Sequence, residues 1–212
     1  MDKKIAKLYD AGKADRAIHL LVQKIDQNPH KVENYLQLST YLIEQGSSEQ
    51  AQQLLEKALG LVKKPEDLYY DLAVCYYMQG NFEKSAALLN KIKNDDLTLY
   101  QKALVYLKLG QDQKALAYAL SIKQLDSKVL ELMGDIWLSL GSFKEAEETF
   151  LKIPEDKRSA KIYFLLGVTT FSSKRKMAKQ YFTKSKLLDK KYYEKAKSQY
   201  NDLLKLISNK GK

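Results

Sequence analysis

Residues 69–89 read YYDLAVCYYMQGNFEKSAALL, and two helical patterns flank the single glycine of this stretch. Before Gly80, Tyr69, Leu72 and Tyr76 are spaced three and four residues apart, which places them on one face of an α-helix. After Gly80, Ser85 and Leu89 continue with helical spacing. The stretch therefore predicts two antiparallel helices joined by a short turn, in which the glycine adopts a left-handed conformation that ends the first helix.

The same pattern recurs along the chain. Glycines stand at positions 12, 46, 80, 110 and 141, and a small residue follows each of them five positions later. Self-similarity at intervals of 30 to 34 residues favours an array of stacked helical pairs over a domain with one central core. The shorter third and fourth intervals predict second helices trimmed by about one turn. Polar residues where second helices begin are expected N-caps, namely Ser48, Asn81 and Ser142.

These residues resemble the tetratricopeptide repeat family, whose pattern has an aromatic, Leu-Gly or Leu-Ala, a turn glycine and then an alanine. The set Tyr69, Leu72, Ala73, Tyr76 and Gly80 is similar to this pattern, and so is the set Gly134, Trp137, Gly141, Ala146 and Phe150. The resemblance implies an all-α, right-handed α-solenoid of about six helix-turn-helix repeats plus a C-terminal capping helix. We expect a single array over residues 1–212, with repeats at about 1–29, 30–64, 65–95, 96–126, 127–156 and 157–188 and the last helix at 189–208.

The later part of the array departs from the pattern. In the sixth unit, Tyr163 and Gly167 match, but Ser173 stands where the turn glycine is expected. The apolar positions of the final helix include Tyr193, Tyr200, Leu203, Leu204 and Ile207, and we expect them to cover the last apolar face of the array. At the other end, Met1 falls inside the first predicted helix, which leaves that end poorly capped and makes self-association an alternative.

The sequence predicts no catalytic centre, metal site or cofactor. It has two histidines and one cysteine, Cys75, which lies among apolar residues and is expected to be a buried structural thiol. Phosphate loops, dinucleotide fingerprints and Gly-x-Ser-x-Gly elbows are missing from the sequence. Glu145, Glu147 and Glu148 are interpreted as a solvated helix face. With no apolar run of membrane-spanning length, we expect a cytoplasmic, non-catalytic adaptor.

Family resemblance also implies a binding surface, because the first helices of such arrays line a concave groove. The implied groove residues are Leu36, Gln37 and Thr40; Tyr70, Asp71, Val74 and Tyr77; Tyr100, Gln101 and Leu104; and Leu132 and Asp135. Their apolar character suggests a protein partner that presents a helix or an extended peptide. The alternative is that curvature buries much of this strip, and for the later units the two interpretations weigh equally. Some members hold acidic chaperone tails with Lys and Asn from three successive first helices. No set of matching positions in this sequence supplies that cationic clamp, so such tails are not expected partners.

The net charge of +10 is concentrated at one end of the chain. Residues 157–212 hold 16 Lys and Arg against three acidic residues, so residues 1–156 carry −3. A basic end of this kind attracts polyanions, so RNA or an anionic membrane surface is the alternative partner class. The candidate polyanion-binding residues are Lys174, Arg175, Lys176, Lys179, Lys184, Lys186, Lys190 and Lys191. The competing interpretation is that these lysines are only solvated.

Overall fold

The computed structural model describes the backbone of residues 1–210 and the side chains of residues 1–202. Within that range every regular element is helical, as predicted. Clustering of contacts divides the chain into two compact units, 1–111 and 112–212, which are described separately below. Single-array organisation with the repeat limits given above stays a prediction.

Unit 1 contains seven α-helices, and the rest belong to unit 2. The helices of unit 1 are α1 (Lys3–Asp10), α2 (Ala14–Gln27), α3 (Val32–Glu44), α4 (Ser48–Ala58), α5 (Tyr69–Met78), α6 (Phe82–Leu89) and α7 (Asp96–Lys108). Those of unit 2 are α8 (Asp112–Leu120), α9 (Ser127–Ser139), α10 (Phe143–Leu151), α11 (Ala160–Thr170), α12 (Arg175–Leu188) and α13 (Lys190–Lys210). The trimming of second helices is confirmed, because α6 has 8 residues and α8 has 9, against 14 in α2 and 11 in α4.

The predicted turn chemistry is confirmed at all five glycines. After α5, Gly80 has a φ of 77°, and its N–H donates to the Tyr77 carbonyl at 3.0 Å. The next N–H, that of Asn81, reaches back to the Tyr76 carbonyl at 2.8 Å. This pair of bonds is the Schellman arrangement, which satisfies carbonyls that the helix end leaves without partners. The same two bonds and a positive φ recur at Gly12, Gly46, Gly110 and Gly141.

Small residues are buried on the second helices. The small side chains that follow the glycines are fully buried: Ala17, Ala51, Ser85, Ala115 and Ala146. Ser85 also links α6 to α5, because its Oγ donates to the Ala73 carbonyl at 2.7 Å. Burial of a hydroxyl with a satisfied hydrogen bond explains why serine replaces alanine there without leaving an unpaired polar group.

Two glycines inside first helices have a different task from the turn glycines. A Cβ built on Gly134 in α9 would lie 2.2 Å from Phe150 Cε1, and one on Gly167 in α11 would lie 2.5 Å from Phe182 Cε1. In each pair the missing side chain therefore makes room for a phenylalanine ring of the second helix. Phe150 is fully buried within the main apolar cluster of unit 2, beside Leu130, Ala146 and Tyr163.

The last helices of unit 2 form an aromatic cluster. Phe164 of α11 packs against Phe182 of α12 with ring centroids 5.4 Å apart. It also meets Tyr192 and Tyr193 of α13, at 6.4 and 6.0 Å and nearly edge-on. The start of α13 thus covers the apolar face that α11 and α12 leave exposed, as expected for a capping helix. The predicted contributions of Leu203, Leu204 and Ile207 lie outside the described side chains.

Three local predictions need correction. The start of α1 is capped, because the Asp2 carboxylate accepts hydrogen bonds from the N–H groups of Lys4 and Ile5. The N-cap of α4 is Ser47, which directly follows the turn glycine, and not the predicted Ser48; the Ser47 side chain makes no capping bond. Of the two other predicted caps, Asn81 accepts a hydrogen bond from the backbone N–H of Lys84, whereas Ser142 makes no side-chain capping bond.

The remaining two observations concern the thiol and the length of the helices. Cys75 is fully buried, and this burial confirms the prediction of a structural thiol. Among the helices that the structure describes, none has an apolar stretch long enough to cross a membrane.

Candidate functional site

The predicted groove residues of unit 1 lie on three neighbouring first helices, α3, α5 and α7. Consecutive first helices contact each other, α3 with α5 and α5 with α7. One hydrogen bond fixes the first of these contacts, because Ser39 Oγ donates to Asp71 Oδ2 at 2.7 Å. Residues that are far apart in sequence are thereby brought onto one surface.

Eight of the ten predicted residues in unit 1 are partly exposed on this surface, and we call them the groove face. They are Leu36, Thr40, Tyr70, Asp71, Val74, Tyr77, Tyr100 and Leu104. Four are aliphatic or threonine, three are tyrosine and one is acidic. This composition combines apolar area with a few polar groups, which is typical of surfaces that hold a peptide or a helix.

The other two predicted residues in unit 1, Gln37 and Gln101, are buried, at 1% and 6% exposure. Gln37 is occupied within the fold. Its Oε1 accepts from the Asp2 N–H at 2.7 Å, and its Nε2 donates to the Asp2 carbonyl at 3.1 Å and to Tyr41 Oη at 2.8 Å. Because these bonds use both ends of the amide, Gln37 attaches the start of α1 to α3 and offers nothing to a partner. The groove face therefore excludes Gln37, whose amide is occupied, and Gln101, which is buried.

Asp71 is the charged residue of the groove face. Burial raises the pKa of its carboxyl group, and the hydrogen bond from Ser39 opposes that rise only in part. Burial also raises the pKa of the neighbouring Tyr70, and the negative charges of Asp71 and Asp95 add to the effect. The phenol of Tyr70 therefore stays protonated and available as a hydrogen-bond donor. The negative charge of the Asp71 carboxylate is only partly compensated by its hydrogen bond from Ser39.

A cavity of about 580 Å³ adjoins the groove face at Tyr70. It lies where α5 and α7 begin, beside the loop that follows α6. Its lining combines three lysines, three carboxylates and three large apolar or aromatic side chains, together with Thr98. These residues are Lys64, Lys91 and Lys93; Glu66, Asp67 and Asp95; and Tyr70, Ile92 and Leu97. The cavity extends the groove face with a recess of balanced charge.

In unit 2 the two predicted groove residues behave differently from each other. Leu132 of α9 is buried, with 4% of its surface exposed, which supports the packing interpretation for that position. Asp135 is half-buried, and Lys161 of α11 donates to it and to Glu131 at 2.7 Å each. Burial opposes the charge on Lys161, but the two carboxylates outweigh it and raise the pKa of the ammonium group. The lysine thus joins α9 to α11.

The candidate polyanion-binding residues do not form one uniformly available set. Lys174 pairs with Glu147 at 2.8 Å, Lys184 with Glu155 at 2.6 Å, and Lys186 with Glu194 at 3.5 Å. The guanidinium of Arg175 lies 5.5 Å from the centre of the Phe171 ring. The four others, all lysines, are exposed: Lys176, Lys179, Lys190 and Lys191. The ion pair of Lys174 also corrects the prediction for Glu147, which is buried with 8% exposure and not part of a solvated face.

The sequence analysis missed two side chains that link first helices to one another, Ser39 and Lys161. Each holds a first helix to the next one through an acidic residue of the predicted groove. In the sequence, Ser39 directly follows Leu38 of the apolar stripe, and Lys161 directly precedes Ile162. These neighbours do not distinguish either residue from a polar residue that faces solvent. Only the register between neighbouring repeats reveals these pairings, and no local pattern encodes it.

Comparison with known proteins places this arrangement in context. The sequence model of the tetratricopeptide repeat matches residues 8–59 and 42–105. A comparison with curated proteins found none that matches the sequence.

Several solved structures share the fold. A chain of the Cut9-Hcn1 hetero-tetramer of the APC/C superposes with a TM-score of 0.73 at 12% identity, over 87% of this chain and 38% of that one. The present chain therefore spans well under half of that relative. PilF of Pseudomonas aeruginosa gives a TM-score of 0.77 at 15% identity, over 93% of this chain and 95% of that chain.

A third similar structure is YrrB, described as a TPR protein with an unusual peptide-binding site. Its TM-score is 0.64 at 20% identity, over 84% of this chain and 97% of that chain. Likenesses at these identities establish the fold, a helical solenoid. Residues 8–105 of this solenoid match the tetratricopeptide repeat family.

Proposed function

We propose that this protein is a non-catalytic adaptor that binds a peptide or helix of a partner protein on the groove face of unit 1. Tetratricopeptide repeats generally serve as protein-interaction scaffolds, and YrrB, which shares the fold, is described by its peptide-binding site. The observation that carries the proposal is the groove face itself. It presents three tyrosines and adjacent aliphatic side chains, partly exposed, on helices held in register by the Ser39–Asp71 hydrogen bond.

The groove face also defines what a partner should present. Apolar side chains would bury the exposed parts of Leu36, Val74 and Leu104. Near Asp71, a partner that supplies a cation or an N–H group would compensate a carboxylate that is disfavoured by burial. We therefore expect apolar anchors with a Lys, an Arg or a free backbone N–H between them. A cytoplasmic location stays part of this proposal.

The test begins with a displayed library of random peptides, selected on the full-length protein. Enriched peptides are then titrated by fluorescence anisotropy against wild type and the Tyr70→Ala/Tyr77→Ala variant. Tyrosines that become buried when a partner binds are frequent hot spots of an interface, so we expect the double variant to weaken binding by roughly 30-fold. Asp71→Asn should selectively weaken the binding of those peptides that carry a cation.

The matched control is Val22→Ala/Leu61→Ala. Both side chains are 42% exposed, but they lie outside the first helices of unit 1. This variant should bind the selected peptides as wild type does. Equal binding by wild type and the tyrosine variant, with helicity unchanged, would refute the groove face as the site. A large loss of helicity in the tyrosine variant would instead assign the two rings to the core.

A further inference from the structure

The corner between α12 and α13 exposes two adjacent leucines. Leu187 is 82% exposed, the highest value for any large apolar side chain among the described residues, and Leu188 is 60% exposed. Single exposed leucines are ordinary on protein surfaces, but a protruding pair is a feature of interaction sites. We call Leu187 and Leu188 the leucine corner.

Basic residues surround the leucine corner in sequence. Residues 184–191 read KSKLLDKK, with four lysines and one acidic residue. That acidic residue, Asp189, is engaged at the start of α13, where its carboxylate accepts a hydrogen bond from the Tyr192 N–H at 2.9 Å. Lys190 and Lys191 are exposed and have no ion pair among the described side chains. The corner therefore presents aliphatic surface next to uncompensated positive charge.

The aromatic residues that would favour nucleic acid are used elsewhere. Tyr181 packs against Tyr163 with ring centroids 6.3 Å apart, and both Tyr192 and Tyr193 pack against Phe164. Rings held in this cluster are not free to stack on bases, which is how single-stranded nucleic acids are bound without sequence preference. The side chains that remain exposed are aliphatic and cationic.

From this combination we propose that the leucine corner docks on an anionic lipid bilayer. Leu187 and Leu188 enter the boundary between headgroups and acyl chains, while Lys190 and Lys191 lie at the level of the phosphates. Aliphatic residues flanked by lysines suit this interface, because the leucines leave water and the long lysine stems reach back to anionic headgroups. The surface lies in unit 2 and is independent of the groove face, so one site can function without the other.

Vesicle flotation of the full chain tests the proposal. Vesicles are made of phosphatidylcholine alone, or of phosphatidylcholine with about one-third phosphatidylglycerol. We expect binding to the anionic vesicles, weakened by salt, and little binding to the neutral ones. Leu187→Ser/Leu188→Ser should lower the partition coefficient about tenfold, since two leucines no longer enter the interface. Lys190→Glu/Lys191→Glu should lower it at least as much.

A second pair of exposed leucines in the same unit provides the control. Leu120 and Leu125 are 58% and 52% exposed, and Leu120→Ser/Leu125→Ser should leave vesicle binding unchanged. Fluorescence of Trp137, the only tryptophan, checks that unit 2 stays folded in every variant. Because all of these side chains are exposed, loss of folding is not expected.

Three outcomes would overturn the proposal. The first is equal flotation of wild type and the Leu187→Ser/Leu188→Ser variant. The second is salt-sensitive binding of a mixed-sequence RNA oligonucleotide that survives this variant, without vesicle binding, which would assign the basic end to nucleic acid. The third is a concentration-dependent dimer that forms without lipid and is lost in the leucine variant, which would make a second copy the occupant of the corner.

Discussion

Gly134 provides the sharpest test of how the helix pairs of unit 2 are packed. On helix propensity alone, Gly134→Ala should stabilise α9 by about 1 kcal/mol. The structure predicts the opposite sign, because the new Cβ would lie 2.2 Å from Cε1, 2.5 Å from Cζ and 2.6 Å from Cδ1 of Phe150. Carbon atoms in contact prefer separations of about 3.5 to 4 Å, so the ring or the helix must move by about 1 Å or more.

Phe150 cannot relieve this clash by moving into solvent, since it is fully buried. Overpacking of a core costs about 1 to 3 kcal/mol, and the close three-atom contact here places the cost near the upper end. After the gain in helix propensity, we expect Gly134→Ala to destabilise the protein by about 2 kcal/mol. Gly167→Ala should cost less, because the ring it meets, that of Phe182, is only half-buried and can shift.

The assay is urea denaturation followed by the fluorescence of Trp137. This tryptophan packs against the cluster that contains Phe150, so its emission reports on the region around Gly134. Gly60→Ala is the matched control, because a Cβ at Gly60 meets nothing within 4 Å and its φ is not positive. The control should leave the urea midpoint unchanged or raise it.

A midpoint for Gly134→Ala that equals or exceeds that of wild type would refute the packing argument. The double variant Gly134→Ala/Phe150→Leu provides a second check. If the clash is with the ring, the double variant should be more stable than the sum of the two single effects predicts, because the smaller side chain leaves room for the new methyl group.

Further predictions concern three ionisable groups of unit 1. Burial raises the pKa of Asp71 above 3.8, so the folded chain binds this proton more tightly than the unfolded chain, and stability falls as the pH rises from 3.8 through the raised pKa. Asp71→Asn should therefore raise the thermal midpoint at neutral pH and lose that advantage below 3.8. The effect of Asp2 on stability has the opposite dependence on pH, because a hydrogen bond from Lys24, together with one from the Ile5 N–H, lowers the pKa of Asp2 from 3.8 to about 2. The stability it contributes should be lost as the pH falls through this interval, and Asp2→Ala should flatten the acid limb of a plot of urea midpoint against pH. Burial, aided by the charge of Asp71, raises the pKa of Cys75 to about 12, so a thiol reagent should label this cysteine only after unfolding.

The sequence predicts the helices and their turns because both depend on local interactions. Gly80 and its four counterparts end first helices through hydrogen bonds that span six residues, and a local pattern is enough to encode them. The same locality explains the corrections at Ser48 and Met1, where neighbouring candidates differ by one residue and the cap depends on the detailed path of the chain.

The candidate site is less visible in the sequence, because it depends on how neighbouring repeats meet. The groove positions carried over from the family identify Tyr70, Val74 and Tyr77, which are on the surface. The same positions also select Gln37 and Leu132, which are buried. The side-chain amide of Gln37 is hydrogen-bonded to the backbone of Asp2, 35 residues away in sequence. Such a contact depends on the register of two helices, which periodicity does not reveal.

Closure of each glycine turn within six residues has a consequence for the order of folding. A hairpin whose turn bonds are all local needs no distant segment in order to form, so little loop-closure entropy opposes it. Chains dominated by such short-range contacts fold quickly, and their successive pairs can form as soon as they leave the ribosome. The pair α11–α12 has no left-handed glycine at its turn. We therefore expect this last pair to form late, after α10 is in place as a template.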